Sequence, residues 1–198
     1  MTRVAVIHLD ESCLGNGRDG ATPGGAAALV EVASRGKVER RDFWHHDPDT
    51  TNNRMALTGA RLVLDLLAAR GHRLRILAVS DSEYLVKGMR DWVPGWIGRG
   101  WRRKGGTIEN LELWQGLVQA AGRHDVKWTW VRGHVGHPKN EYADYLAVRA
   151  AGSGSDSGGL QPSEFTDWIR ARQELGKYPD YDPDADFLRL EASIPGSL

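Results

Sequence analysis

Residues 73–81 read RLRILAVSD, a short apolar run of the kind that forms a buried strand, closed by an acid. What flanks it decides the kind of sheet. Upstream, from Asn52 to about Ala69, the apolar positions Met55, Leu57, Leu62, Val63, Leu66 and Leu67 recur at helical spacing until Gly71 stops the helix. Downstream, residues 82–91 have a helical pattern, which Pro94, Gly95, Gly98 and Gly100 are expected to break. A strand between helices belongs to a layered α/β arrangement.

The same alternation extends in both directions. VAVIHLD (4–10) is a second apolar run ending in an acid, while GAAALVEV (25–32) and KVERRDFWHH (37–46) are two strands joined by a tight turn at 34–36. TIENLELWQGLVQAAG (107–122) reads as a helix capped by Thr107, DVKWTWVRGH (125–134) as an alternating strand entering a loop, and PKNEYADYLAVRAA (138–151) as an amphipathic helix. The order βββ-α-β-α-α-β-α predicts a mixed sheet with helices packed on it.

With 198 residues, 40% hydrophobic and 26% charged, the chain suits one main domain and a remainder. No apolar run approaches membrane-spanning length, and MTRVAVIHLD reads as a first strand and not a leader peptide. Cys13 is the only cysteine, which excludes a disulfide framework and a cysteine-based zinc site; a cytoplasmic location is expected. Net charge is zero, but residues 151–198 carry nine acids and four bases, so residues 1–150 carry +5. A basic body points to a polyanionic partner. GSGSDSGG (152–159) has linker composition. PSEFTDWIRARQEL (162–175) predicts one short helix with a docking stripe of Phe165, Trp168 and Ile169; the acidic YPDYDPDADF (178–187) is expected to compete with nucleic acid for the body.

Three carboxylates could share one site: Asp10 and Asp81 at strand ends, and Asp144 one turn into the last helix, after a loop holding His134 and His137. An all-oxygen donor set suits magnesium or manganese, not zinc. A second feature is KGMRDWVPGWIGRGWRRK (87–104), where six Lys or Arg sit among Trp92, Trp96 and Trp101. Cations neutralise phosphates and aromatic faces pack on sugars and bases, although the tryptophan spacing also fits core anchors. A third is TTNNRMAL (50–57), whose hydroxyls and amides at a helix start suit neutral contacts to a nucleic-acid backbone.

In order, LDESCLGNG, TTNNRMAL, VSDSEYLVKGM, GWRRKGG followed by ENLELWQ, and VRGHVGHPKNEYADYLA resemble the motifs of a type 1 ribonuclease H of the bacterial ribonuclease HI kind, over residues 1–150. The resemblance implies a ribonuclease H-like α/β fold: a five-stranded mixed sheet flanked by helices. Residues 151–162 would then be a flexible linker and 163–198 an acidic tail with one short helix. It implies an endoribonuclease that hydrolyses the RNA strand of RNA–DNA hybrids, probing the 2′-hydroxyl and leaving 5′-phosphate and 3′-hydroxyl ends. The cofactor would be Mg2+, with Mn2+ as a substitute, at two ions per site roughly 4 Å apart. The implied protein is a monomer with no membrane partner. Asp10, Asp81 and Asp144 match metal-binding carboxylates, and His134 a loop histidine that assists proton transfer or product release. Asn16, Asn52 and Asn53 match contacts to the RNA strand, and Thr51 and Asn110 contacts to DNA phosphate. Trp92, Trp96, Trp101, Arg102, Arg103 and Lys104 fall in a basic protrusion that grips the hybrid.

The chain also departs from that pattern. The family's fourth carboxylate is a Glu directly after TNNRM, and here that position is Ala56. Glu11 stands where the family has Gly, Asp49 lies near where some members place a phosphate-binding Arg, and the first loop is longer. Three readings of Ala56 follow: an engineered inactivation, a natural hybrid-binding module without catalysis, or an active variant in which Glu11 supplies the missing ligand. The last keeps four carboxylates but requires β1 to end or bulge at Asp10, because neighbouring side chains on a regular strand face opposite ways.

Overall fold

The computed structural model describes residues 3–15, 22–34, 36–69, 71–133 and 136–194. β1 (Val4–Cys13), β2 (Gly24–Ser34) and β3 (Lys37–Asp47) form an antiparallel meander. β4 (Arg75–Ser80) pairs in parallel with β1, and β5 (Asp125–Trp130) in parallel with β4. A two-residue strand, β6 (Gln161–Pro162), adds to the free edge of β3, giving the order β5-β4-β1-β2-β3-β6. The mixed sheet is as expected; its sixth strand comes from the end of the expected linker.

Strand alternation divides the sheet into two faces. On one, Ala5, Ile7 and Leu9 of β1 and Ala28 and Val30 of β2 pack beneath α1 (Asn52–Ala68) and α4 (Leu111–Ala121). On the other, Ala27 and Leu29 meet Tyr142, Leu146 and Ala147 of α5 (Pro138–Ser153). Gly25 sets how close α5 comes, since a Cβ there would stand 2.0 Å from the Ala147 carbonyl oxygen.

Two helix boundaries differ from expectation. Pro94 and Gly95 do not break the chain: α2 (Glu83–Lys87) passes through a π-helical turn at Gly88–Trp92 into α3 (Val93–Gly98). The Val93 amide bonds to the Gly88 carbonyl, and this wider π-type turn directly before Pro94 lets the chain stay helical past a residue without an N–H. The next helix starts at Leu111 and not after Thr107, because Asn110 has a left-handed φ of 54° that ends any helix running through it.

The expected linker is bound along its length. α5 runs on to Ser153, the Asp156 carboxylate accepts from the His46 amide at 2.6 Å, and the Ser157 hydroxyl accepts from the Trp44 amide at 3.1 Å. Backbone bonds to β3, which Gly/Ser composition does not encode, hold this segment. The tail forms two helices where one was expected, α6 (Phe165–Glu174) and α7 (Pro183–Ala192). Asp182 caps α7 by accepting from the amides of Asp184 and Ala185, and Pro183 occupies its first turn. Phe187 and Ile194 pack with Val4, Val6, Leu77 and Val79 on the α5 face. The acidic end therefore lies across the sheet from the basic element at 87–104, whose Val93 and Trp96 join the core on the α1 face. Among the described residues, no helix is long and apolar enough to cross a membrane.

Candidate active site

β4 stops at Ser80, opposite Leu9, while β1 continues four residues further along β2. Asp10 and Glu11 stand at this step in the sheet, and Asp81 directly follows β4. The Asp10 side chain, 7% exposed, accepts the Glu11 amide at 2.7 Å and the Asn140 side-chain amide at 3.0 Å. Burial pushes the Asp10 carboxyl up to about 9, and the charges of Asp81, Glu11 and Asp144 push the same way. Burial likewise raises Glu11 to about 8; the Ser82 hydroxyl works against this and the Asp81 charge adds to it. The four acids thus share one electrostatic neighbourhood.

β1 neither ends nor bulges at Asp10, contrary to the condition set on Glu11. Its pairing with β2 is regular through Cys13, with Asp10 opposite Ala27 and Glu11 opposite Ala26. Asp10 faces α5, and Glu11 faces α1 along with Ala5, Ile7 and Leu9. Because β4 has already ended, the β4 side of β1 is open here, and both side chains border the same step in the sheet. Ala56 is 4% exposed and packs in the cluster under α1, on the face from which Glu11 projects. The family's Glu position and Glu11 therefore share one side of the sheet.

Oxygen-only, anionic, mutually repelling donors fit a hard divalent cation in kind. Among the described residues, no three His, Cys, Asp or Glu side chains stand close enough to enclose an ion as they are placed. A bound cation would offset the repulsion and draw them together.

Supporting groups surround the acids. The Trp130 indole donates to the Asp81 backbone carbonyl at 3.0 Å. Gly133 brings the following loop against Asp81, where a Cβ would lie 2.1 Å from Oδ2. Asn140, Ser82, Gly133 and Trp130 were not singled out in the sequence. Asn140 lies within the HPKNEYAD motif, but nothing in its spacing marks it as a partner of Asp10.

The nucleic-acid candidates are spread over several elements. Thr51 caps α1, its hydroxyl accepting from the Arg54 amide at 3.3 Å; Asn52 is exposed and Asn53 half-buried in the first turn. Arg102, Arg103 and Lys104 are exposed at a tip closed by the Arg103–Gly106 bridge. The tryptophans divide. Trp92 is 37% exposed, Trp101 is half-buried, and Trp96 packs edge-on against Trp114 as a core anchor while bordering a cleft with Trp92 and Arg103. The Asn110 side chain donates to the Tyr84 hydroxyl at 3.3 Å, which also accepts the Trp114 indole. Asn16 and His134 lie outside the described residues.

The family model for RNase H matches residues 2–152. The chain belongs to the ribonuclease H family, in its type 1 branch. It is 43% identical over 146 residues to ribonuclease HI of Pseudomonas aeruginosa, covering 73% of this chain and 90% of that one. It is 42% identical over 144 residues to ribonuclease H of Stutzerimonas stutzeri, covering 72% and 88%. Among solved structures it is similar to LC9-RNase H1, described as a type 1 RNase H with the type 2 active-site motif, at 51% identity and a TM-score of 0.79 over 85% of this chain and 81% of that one. These ribonuclease H relatives carry the family assignment. The match to the family model ends before β6, α6 and α7, which are additions to it.

Proposed function

We propose that this chain is a metal-dependent endoribonuclease that hydrolyses the RNA strand of RNA–DNA hybrids, leaving 5′-phosphate and 3′-hydroxyl ends. The observation that carries the reading is the placement of Asp10, Glu11 and Asp81 at the step where β4 ends, with the charges of Asp81, Glu11 and Asp144 all acting on the buried Asp10. Those four carboxylates would hold the cations, magnesium or manganese, two per site. Bound there, divalent cations activate water and stabilise the charge of phosphodiester displacement. The protein's own part is to bind and orient. Thr51, Asn52 and Asn53 at the start of α1 offer hydroxyl, amide and helix-start N–H groups to backbone and 2′-hydroxyl oxygens. Arg102, Arg103 and Lys104 offer charge to phosphates beyond the cut, Trp92 a ring face, and His134 a proton carrier. Asn16 and Asn110 complete the set of proposed contacts.

Glu11 is the proposed replacement for the acid absent at Ala56. It projects from the strand into the side of the site that a glutamate on α1 would otherwise enter. The small side chain at 56 leaves α1 packed on the sheet. A 51%-identical relative described as combining a type 1 protein with another active-site motif supports such an exchange. The competing reading, a hybrid-binding module impaired in catalysis, is favoured by Ala56 alone.

A labelled RNA–DNA hybrid with magnesium or manganese separates the two. Cleavage by the unaltered chain, lost in Asp10→Asn and in Glu11→Gln, is the expected result. Full activity in Glu11→Gln would remove Glu11 from the site. A large gain on Ala56→Glu would make the present chain an inactivated form.

A further inference from the structure

A buried lysine stands directly before the residue that holds Asp10. Lys139, in the first turn of α5, is 2% exposed. Its ammonium lies 2.7 Å from Glu31 Oε2 on β2 and 3.1 Å from Asp186 Oδ2 on α7, and donates to the Pro183 carbonyl at 3.1 Å. Glu31, fully buried, also accepts from Arg40 Nε at 2.8 Å, and Arg40 reaches Asp184 of α7 at 2.5 Å. One ammonium therefore joins β2, α5 and α7. The next residue, Asn140, is 2% exposed and donates its amide to Asp10.

We propose that Lys139 is a positioning residue, clamped by Glu31 and the tail's Asp186, that holds the first turn of α5 so that Asn140 stays on Asp10. The tail would then be part of the active-site scaffold. This rests on the reading of Asp10 as a catalytic carboxylate.

Two physical points lead to it. A cation in the first turn of a helix is opposed by the helix dipole, so Lys139 is in the wrong place for α5 taken alone. Its burial is tolerable only with anionic partners in contact, and those come from β2 and the tail. Asp10, for its part, is repelled by three like-charged neighbours. A neutral amide donor fixes its orientation without cancelling the charge that a cation needs. Asn140 is such a donor, and its place depends on the turn that Lys139 anchors.

The test uses the full chain. Lys139→Met with Glu31→Gln removes the ammonium and its buried acid together, and leaves Arg40 paired with Asp184 and Asp186 paired with Arg189. Asp186→Asn removes only the tail's contribution. Ile169→Ala loosens α6 at a distance from Lys139 and is the control for lost stability. The side-chain amide of Asn140 is followed by NMR, and kcat and KM are measured on a hybrid well below the melting temperature. In the double variant the Asn140 amide protons are expected to exchange at least roughly tenfold faster. kcat should fall roughly tenfold with KM within about twofold. Asp186→Asn should move both in the same direction by less, and Ile169→Ala should move neither. An unchanged Asn140 signal in the double variant overturns the proposal, as does an equal disturbance from Ile169→Ala or an unchanged kcat once the signal is lost. If the unaltered chain cleaves no hybrid, the functional reading fails, and the amide signal by itself decides whether Lys139 positions Asn140.

Discussion

The face of the sheet under α1 and α4 is held by apolar packing: Leu57, Leu64, Trp114 and Leu117 are at most 1% exposed there, with no buried ion pair among them. The face under α5, α6 and α7 buries Glu31, Asp42 and Lys139, each at most 2% exposed, among its aromatic side chains. Tyr142 donates to Asp42 at 2.5 Å, and the Glu164 amide donates to the same oxygen at 3.0 Å. Apolar packing tolerates exchange of one hydrophobic group for another, whereas buried charges fix a single arrangement only while every partner is present. The site sits where the two faces meet, past the end of β4. As proposed, it would take Glu11 from the apolar side and Asp10, Asn140 and Asp144 from the charged side.

The largest expected effect falls on the junction itself. Glu11→Gln should lower hybrid cleavage by roughly 1,000-fold, about 4 kcal/mol in transition-state terms, measured as kcat/KM under saturating magnesium. An effect under tenfold would return Glu11 to the apolar face as a bystander.

Core truncations compare the faces directly. Leu57→Ala should cost about 2–5 kcal/mol of global stability by denaturant titration, as for other buried leucines. Phe165→Ala, fully buried on the other face, should instead release the tail first, seen as proteolysis between residues 151 and 162 ahead of the main unfolding transition. Simultaneous loss of the whole fold would show that the faces are one cooperative unit.

A smaller effect of opposite sign concerns pH. The Asp10 carboxyl is raised on folding to about 9, so the folded metal-free state binds its proton more tightly than the unfolded chain does. That contribution is fully present below the unfolded value near 4 and is lost as pH rises toward about 9. Melting of the metal-free protein should therefore fall over this window. Asp10→Asn should flatten the fall and raise the melting temperature at pH 8 by roughly 4–8 °C, equivalent to about 2 kcal/mol. Added magnesium should restore stability to the unaltered chain alone.

The smallest effect belongs to neither face. Lys87→Ala removes an exposed pair with Glu83 within α2 and should change stability by no more than about 0.5 kcal/mol. A larger loss of hybrid affinity than of stability would place Lys87 with the cations of the protrusion.

Much of this was legible in the residues. Runs such as VAVIHLD and RLRILAVSD announce strands because buried strands need continuous apolar side chains, and the spacing of Met55 through Leu67 announces α1 because one helix face repeats every three or four residues. Asp10, Asp81 and Asp144 were legible by position and by family pattern, and Ala56 by its departure from it. Less legible were helix limits set by single backbone angles, as at Asn110, and the course of residues 151–194. Polar composition there suggests freedom, while Asp156 and Ser157 spend their side chains on β3. The cap at Asp182 with Pro183 was present in the chain, but its acidity drew attention to charge instead.

By itself the sequence determined the element order, the mixed sheet, the family and the chemical kind of the site, because periodicity and side-chain type are local properties. Only the tertiary structure decided that Glu11 and residue 56 share a face, that Asn140 rather than a charged group holds Asp10, and that the tail meets Lys139. Those depend on where β4 stops relative to β1 and on which distant charges are buried together, and neither is written in any one segment.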